Sequence, residues 1–156
     1  MKAYDENLID RSVLFVVSSF EKGSKSKIVT KHGVLYSPYS ALSLINKACM
    51  LYASTYDGRV KATRHNLQQH KKTTILISED GVAAYPTKSP THPECVWIFN
   101  QEYRIEFISP TKTRLIYDQY QVSAEVNVSI HTLQKQRTRM HEMLYYYMRV
   151  RGRHNT

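Results

Sequence analysis

The sequence predicts an α+β fold: a single domain of mostly antiparallel strands with a middle helix and a long C-terminal helix. Three observations lead there. From Ser12 to Val128, short runs rich in Val, Ile, Phe and Tyr recur, separated by turn-forming residues. One internal segment, Pro38 to Tyr52, carries apolar residues at helical spacing. A second such segment opens at Ile130 and continues towards the C-terminus. The 156 residues amount to about one domain, without internal repeat, low-complexity tract or linker. The expected domain therefore spans 1–156, with about 150–156 as a flexible basic tail.

The elements follow in chain order. Ser12 to Phe20 reads as a buried strand and Glu21 to Lys27 as a turn. Lys27–Thr30 and Val34–Tyr36 read as a hairpin around Lys31-His32-Gly33. Pro38 suits the first turn of a helix, which Ala41, Leu42, Leu44, Ile45, Ala48, Cys49 and Leu51 continue. Gly58 is expected to end that region in a turn. Thr73–Ser78 and Val82–Tyr85 flank a tight Glu79-Asp80-Gly81 turn. Pro86 to Pro93, with three prolines, is expected to be an ordered extended loop. Cys95–Phe99, Tyr103–Ile108, Thr113–Tyr117 and Tyr120–Val128 read as strands, the last alternating Val122, Ala124, Val126 and Val128 with polar residues. Ser129 suits a helix cap. Beyond it Ile130, Leu133, Met140, Leu144 and Tyr147 mark a stripe to about Val150, which Arg137 interrupts.

Charge is unevenly spread. The net charge is +9. Residues 58–72 hold Arg59, Lys61, Arg64, Lys71 and Lys72 with His65 and His70 and no acid, and a second basic block follows residue 130. Like charges repel, so folding alone gives no reason to gather them; such a cluster fits a polyanion, and nucleic acid is the usual one. The plainer reading is a solvated face. The 12 tyrosines suit half-buried surfaces, interfaces and base stacking. Trp97, between Val96 and Ile98, fits core packing better than stacking, and of Tyr145, Tyr146 and Tyr147 one ring is expected to pack inward.

Several chemistries lack their residues. His92-Pro93-Glu94-Cys95 has no downstream Cys-x-x-Cys to complete a deaminase zinc shell. Gly23-Ser24-Lys25 lacks the first glycine of a phosphate loop. His65 and His70 stand five apart, off one helical face. Neither nucleophile-elbow, zinc-protease nor paired-acid patterns occur, so no enzyme, cofactor or metal is expected. Cys49 and Cys95 do not make a disulfide scaffold. The start, Met1 to Asn7, is polar and acidic, unlike a signal peptide, and Val13 to Val17 is too short to span a membrane. The chain reads as cytoplasmic and reduced.

Two long blocks resemble one family. The first is Lys47-Ala48-Cys49-Met50-Leu51-Tyr52-Ala53-Ser54-Thr55-Tyr56-Asp57-Gly58-Arg59, followed by the Lys71-Lys72 entry to a strand. The second is Tyr85-Pro86-Thr87-Lys88-Ser89-Pro90-Thr91-His92-Pro93-Glu94-Cys95-Val96-Trp97-Ile98. In order and spacing they resemble the ComK family of competence transcription factors from Gram-positive bacteria, with the strong match over about residues 45–100. The resemblance implies a DNA-binding activator of DNA-uptake genes that recognises paired AT-rich boxes through the minor groove, as a homodimer or higher oligomer, in the cytoplasm with the nucleoid. It implies Arg59 as the groove-inserting residue, since a narrow A-tract groove attracts arginine; the alternative is a structural arginine paired with Asp57. Lys61, Arg64, Lys71 and Lys72 would contact phosphates; the Pro86–Pro93 loop reads either as a rigid structural belt around the core or as presenting Thr87, Lys88 and Ser89 to a backbone. Longer family members carry a C-terminal extension that an adaptor delivers to a Clp protease. Here Met143-Leu144-Tyr145 echoes that segment inside an expected helix without its proline, so a Clp adaptor interaction is doubtful. Arg149, Arg151 and Arg153 read equally as a second DNA contact or a frayed end. Two other readings stay open: a non-specific single-strand or RNA binder, and a paralogue that titrates another activator by hetero-oligomerisation.

Overall fold

A computed structural model describes residues 8–154. The polar start, Met1 to Asn7, lies outside the described residues. The first strand, β1 (Val13–Ser18), pairs antiparallel with β2 (Ser26–Thr30), which turns through Lys31 and His32 into β3 (Gly33–Ser37). Helix α1 (Ala41–Met50) begins three residues after Pro38, where the Ser40 hydroxyl accepts the Ser43 N–H at 3.2 Å. Next come α2 (Tyr56–Leu67), β4 (Ile75–Leu76), β5 (Ala83–Pro86) and β6 (Val96–Phe99). A meander of β7 (Arg104–Ser109), β8 (Lys112–Tyr117) and β9 (Val122–Val126) leads to α3 (Ile130–His154).

The strands form two sheets. Six run in the order β3-β2-β1-β6-β5-β4 and three in the order β7-β8-β9, with every described pairing antiparallel. The β1–β6 pairing, Phe15 opposite Ile98, joins the two halves of the chain at the middle of the large sheet. Both faces of that sheet are covered. On one, Val16, Ile28, Trp97 and Phe99 pack with Leu44, Ile45 and Cys49 of α1 and Val60 of α2. On the other, Leu14, Val29, Tyr85 and Ile98 meet Leu115 and Tyr117 of the small sheet and Leu133, Met140 and Met143 of α3. Double coverage explains why β1 and β6 read as unbroken apolar runs although they are antiparallel. Trp97 is 1% exposed, as expected of a core residue, and meets the Tyr56 ring edge-on at 5.9 Å.

Three expectations change. The largest concerns Gly58, which does not end a turn: it sits in the first turn of α2, a 12-residue helix that takes in most of the basic stretch. Thr55 caps it, its hydroxyl accepting the Gly58 N–H at 2.9 Å. The pattern hid this helix because only Tyr56, Val60, Thr63 and Leu67 face inward, and two of those four are polar or aromatic. Second, the stripe on α3 passes through Gln136 rather than Arg137: Leu133, Gln136, Met140 and Met143 are buried. Arg137 instead stacks its guanidinium 5.0 Å from the Tyr103 ring and donates to the Tyr103 carbonyl. Third, α3 extends to His154, so Arg151 lies on the helix, while residues 155–156 of the expected tail lie outside the described residues. Ser129 accepts the Thr132 N–H at 3.1 Å, as a cap does. Tyr147 is the inward ring of the triplet and Tyr145 is exposed. The Met143-Leu144-Tyr145 echo lies within α3 with Met143 fully buried.

Candidate nucleic-acid interface

The basic residues singled out from the sequence fall on α2, on the loop after it, and on the loop between β5 and β6. An α-helix turns about 100° per residue. On α2 the inward face is set by Tyr56, Val60, Thr63 and Leu67. Lys61 and Arg64 are exposed on one flank, about 125° and 65° from the centre of that face and about 60° apart, with His65 beside Lys61. Arg59 lies about 140–160° round from both. It is half-buried, and its Nε is buried with no hydrogen-bond partner. It makes no ion pair with Asp57, so the structural pairing weighed as its alternative is not formed. The structure thus brings Lys61 and Arg64 together and sets Arg59 on another flank.

The helix ends at Gln68, whose left-handed backbone (φ 59°) lets its N–H bond the Arg64 carbonyl at 3.1 Å. From there residues 68–74 run against α3. Thr63 and Asn66 meet the Tyr147 hydroxyl at 3.4 Å, Gln69 donates to the Arg139 carbonyl at 3.1 Å, and Gln136 donates to the Lys72 carbonyl at 2.9 Å. Rising numbers on the first segment meet falling numbers on α3, so the two run antiparallel. Gln69 is buried, and its side-chain Oε1 accepts both the Thr74 N–H and hydroxyl. Lys71 and Lys72 project from this anchored loop and are both exposed.

Pro86 to Pro93 is the ordered loop expected. The His92 N–H bonds the Ser89 carbonyl at 2.9 Å and the Cys95 N–H bonds the His92 carbonyl at 3.0 Å. Thr87 departs from its expected backbone-facing role: it is 1% exposed and exchanges bonds with Val96, continuing the β5–β6 ladder. Ser89 is exposed and Lys88 half-buried. The Cys95 thiol lies 3.5 Å from the Lys88 carbonyl. Burial pushes that thiol up. The Gln136 amide donates to both the Lys72 and the Pro86 carbonyls at 2.9 Å, so the Lys72 and Lys88 loops are neighbours.

The charge pattern separates this region from the rest. Ion pairs among the described residues gather on the small sheet, where Arg104, Glu106, Lys112, Arg114, Asp118 and Glu125 interlock, and at Arg11–Asp80. Among the described residues, Arg59, Lys61, Arg64, Lys71, Lys72 and Lys88 make none. An array of cations without ion-pair partners is suited to a polyanion's phosphates. Sequence reasoning missed Gln69, Gln136 and Arg139, which hold the array's loops. The available signal was an amide, Gln136, in the middle of an apolar helical stripe.

A competence transcription factor from Bacillus subtilis (strain 168) is 31% identical over 74 residues, which is 47% of this chain and 38% of that protein. The alignment therefore spans well under half the length of that relative. No solved structure matches the chain. The family described as ComK protein matches residues 4–152. With nearly its whole length matched, the chain belongs to the ComK family.

Proposed function

We propose that this protein is a DNA-binding transcription activator of competence genes that recognises AT-rich promoter boxes as an oligomer. The observation that carries the reading is the row of unpaired cations on α2 and the two loops beside it. In this reading Lys61, Arg64, Lys71, Lys72 and Lys88 contact phosphates and fix the protein's position on the duplex without reading sequence. Arg59 enters the minor groove, where A-tract narrowing concentrates negative potential. Its separate flank on α2 fits a division of labour between positioning and selection. The protein works in the cytoplasm with the nucleoid and catalyses no reaction. The competence role rests on family membership and on the name of the Bacillus subtilis relative.

The single-strand alternative needs open aromatic faces for base stacking; Tyr85 and Tyr117 on the strands are buried, while Phe107 on β7 is 59% exposed. Fluorescence anisotropy with three probes at two salt concentrations tests the proposal: a duplex with two A/T tracts in helical phase, a GC-rich duplex of equal length, and a single strand. Tight, salt-sensitive binding confined to the A/T-tract duplex is expected. Equal binding to all three would reduce the protein to a basic nucleic-acid binder, and no binding would favour the partner-titrating role.

A further inference from the structure

We propose that Gln136 is a positioning residue for DNA binding: through one side-chain amide it locks the Lys71–Lys72 loop and the Lys88 loop into a single rigid cation cluster. The proposal rests on the DNA-binding reading above. Gln136 is 2% exposed and stands where the stripe of α3 otherwise holds Leu133, Met140 and Met143. Its Nε2 donates to the Lys72 carbonyl and to the Pro86 carbonyl, both at 2.9 Å. Its Oε1 accepts from Arg139 Nη1 at 2.5 Å, and Arg139 Nη2 donates to the Lys71 carbonyl at 2.9 Å. The amide's two N–H donors and its oxygen are thus all engaged, and the donors end on the carbonyl of Lys72 itself and on that of Pro86, the last residue of β5, two before Lys88.

An apolar side chain would fill this position without the cost of burying an amide. What the amide adds is a fixed relation between two loops from distant parts of the sequence. Lys72 needs that support, because its backbone is left-handed (φ 47°), a conformation strained for a non-glycine residue. Holding the lysines in place before DNA arrives removes an ordering cost from binding.

The test uses the full chain with Gln136→Leu, and Gln134→Leu as a control at an exposed position of the same helix. Hydrogen exchange, thermal unfolding and anisotropy on the A/T-tract duplex are measured for each. In Gln136→Leu, exchange in residues 70–74 and 86–95 should rise together. Affinity should fall about tenfold, and the salt slope should become shallower by about one to two, as when phosphate contacts are lost. Gln134→Leu should match wild type. If Gln136→Leu is less stable but its folded fraction keeps wild-type affinity and slope, Gln136 is a fold brace only and the proposal is wrong. Faster exchange in one loop alone also overturns it. Should Gln136→Leu fail to fold, Arg139→Met removes the Lys71 link and the donor to Gln136 Oε1 but leaves the Gln136 bonds to Lys72 and Pro86; it should loosen residues 70–74 and flatten the slope by about one, and an unchanged slope counts against the proposal. A wild-type chain that binds no duplex brings down the DNA-binding reading itself, whereas steep wild-type binding matched by the variants brings down only the positioning role.

Discussion

Removing the Lys71 charge tests the interface with a number attached. Five exposed or half-buried cations, Lys61, Arg64, Lys71, Lys72 and Lys88, carry no ion pair. Each phosphate neutralised on duplex DNA contributes about −0.9 to the slope of log K against log salt, so five give about −4.5. From 50 to 200 mM salt, affinity should then fall roughly 500-fold. Lys71→Ala should bring the slope to about −3.6 and weaken A/T-tract and GC-rich duplexes by the same factor, since a phosphate contact carries no sequence information. The side chain is exposed, so its loss should leave stability within about 0.5 kcal/mol of wild type. Lys112→Ala is the matched control, because Lys112 already faces Glu125 at 3.7 Å. The assay is anisotropy at four or more salt concentrations, with circular dichroism to confirm folding. An unchanged slope in Lys71→Ala, or an equal loss in Lys112→Ala, would refute the assignment of the interface to α2 and its loops.

Three other outcomes follow from the same geometry. Arg59→Ala should cost about 1–3 kcal/mol on the A/T-tract duplex and narrow the gap to the GC-rich one, as loss of a selecting contact does; competition anisotropy reads this, and a uniform loss on both duplexes would make Arg59 another phosphate contact. Leu133, fully buried between α3 and the sheets, should cost about 2–5 kcal/mol as Leu133→Ala in urea unfolding, and a loss below 1 kcal/mol would mean that α3 packs elsewhere. Burial pushes the Cys49 thiol up from 9.0 to about 11 and the Tyr56 hydroxyl from 10.0 to about 12. Both pKa values are raised in the fold, so the unfolded chain ionises first and stability is lost as pH climbs, from about 9 for Cys49 and 10 for Tyr56. Cys49 contributes on the order of 2–3 kcal/mol of this loss by pH 11, and urea unfolding of Cys49→Ala between pH 8 and 10 should show a flatter decline than wild type.

The sequence made the strands legible because burial on both faces forces continuous apolar runs, as in Val13–Val16 and Val96–Phe99. It made α1 and α3 legible because each buries one stripe of apolar residues. It concealed α2, whose surroundings ask for little apolar surface: Val60 and Thr63 are its only buried positions, and Asp57, Arg59, Lys61 and Arg64 carry charge. Tertiary contacts hold that helix in place, which propensity and periodicity do not register. The split between Arg59 and the Lys61–Arg64 pair was hidden for the same reason, since a segment read as a loop has no flanks. The pairing of the Lys72 and Lys88 loops was out of reach altogether. It depends on Gln136, more than 45 residues from either, and no local rule links residues so far apart.

Gly58 separates a structural explanation from a functional one. Its position before Arg59 suggests a glycine kept so that the backbone can approach DNA. Its surroundings give a local reason instead. A Cβ there would lie 3.1 Å from Ser54 Oγ and 3.2 Å from Thr55 Oγ1. The Ser54 hydroxyl makes only a long bond, 3.4 Å, and can rotate away, but Thr55 Oγ1 is the cap acceptor for the Gly58 N–H. Alanine in a helix gains about 1 kcal/mol over glycine, and a disturbed cap loses about the same. Gly58→Ala should therefore change stability by less than about 1 kcal/mol. Its DNA affinity should stay within about twofold of wild type, because the new methyl meets the Ser54 and Thr55 hydroxyls at the cap and removes no cation. A variant of unchanged stability whose affinity drops tenfold or more would show that the glycine serves the DNA contact, and would place the backbone at residue 58 within the interface.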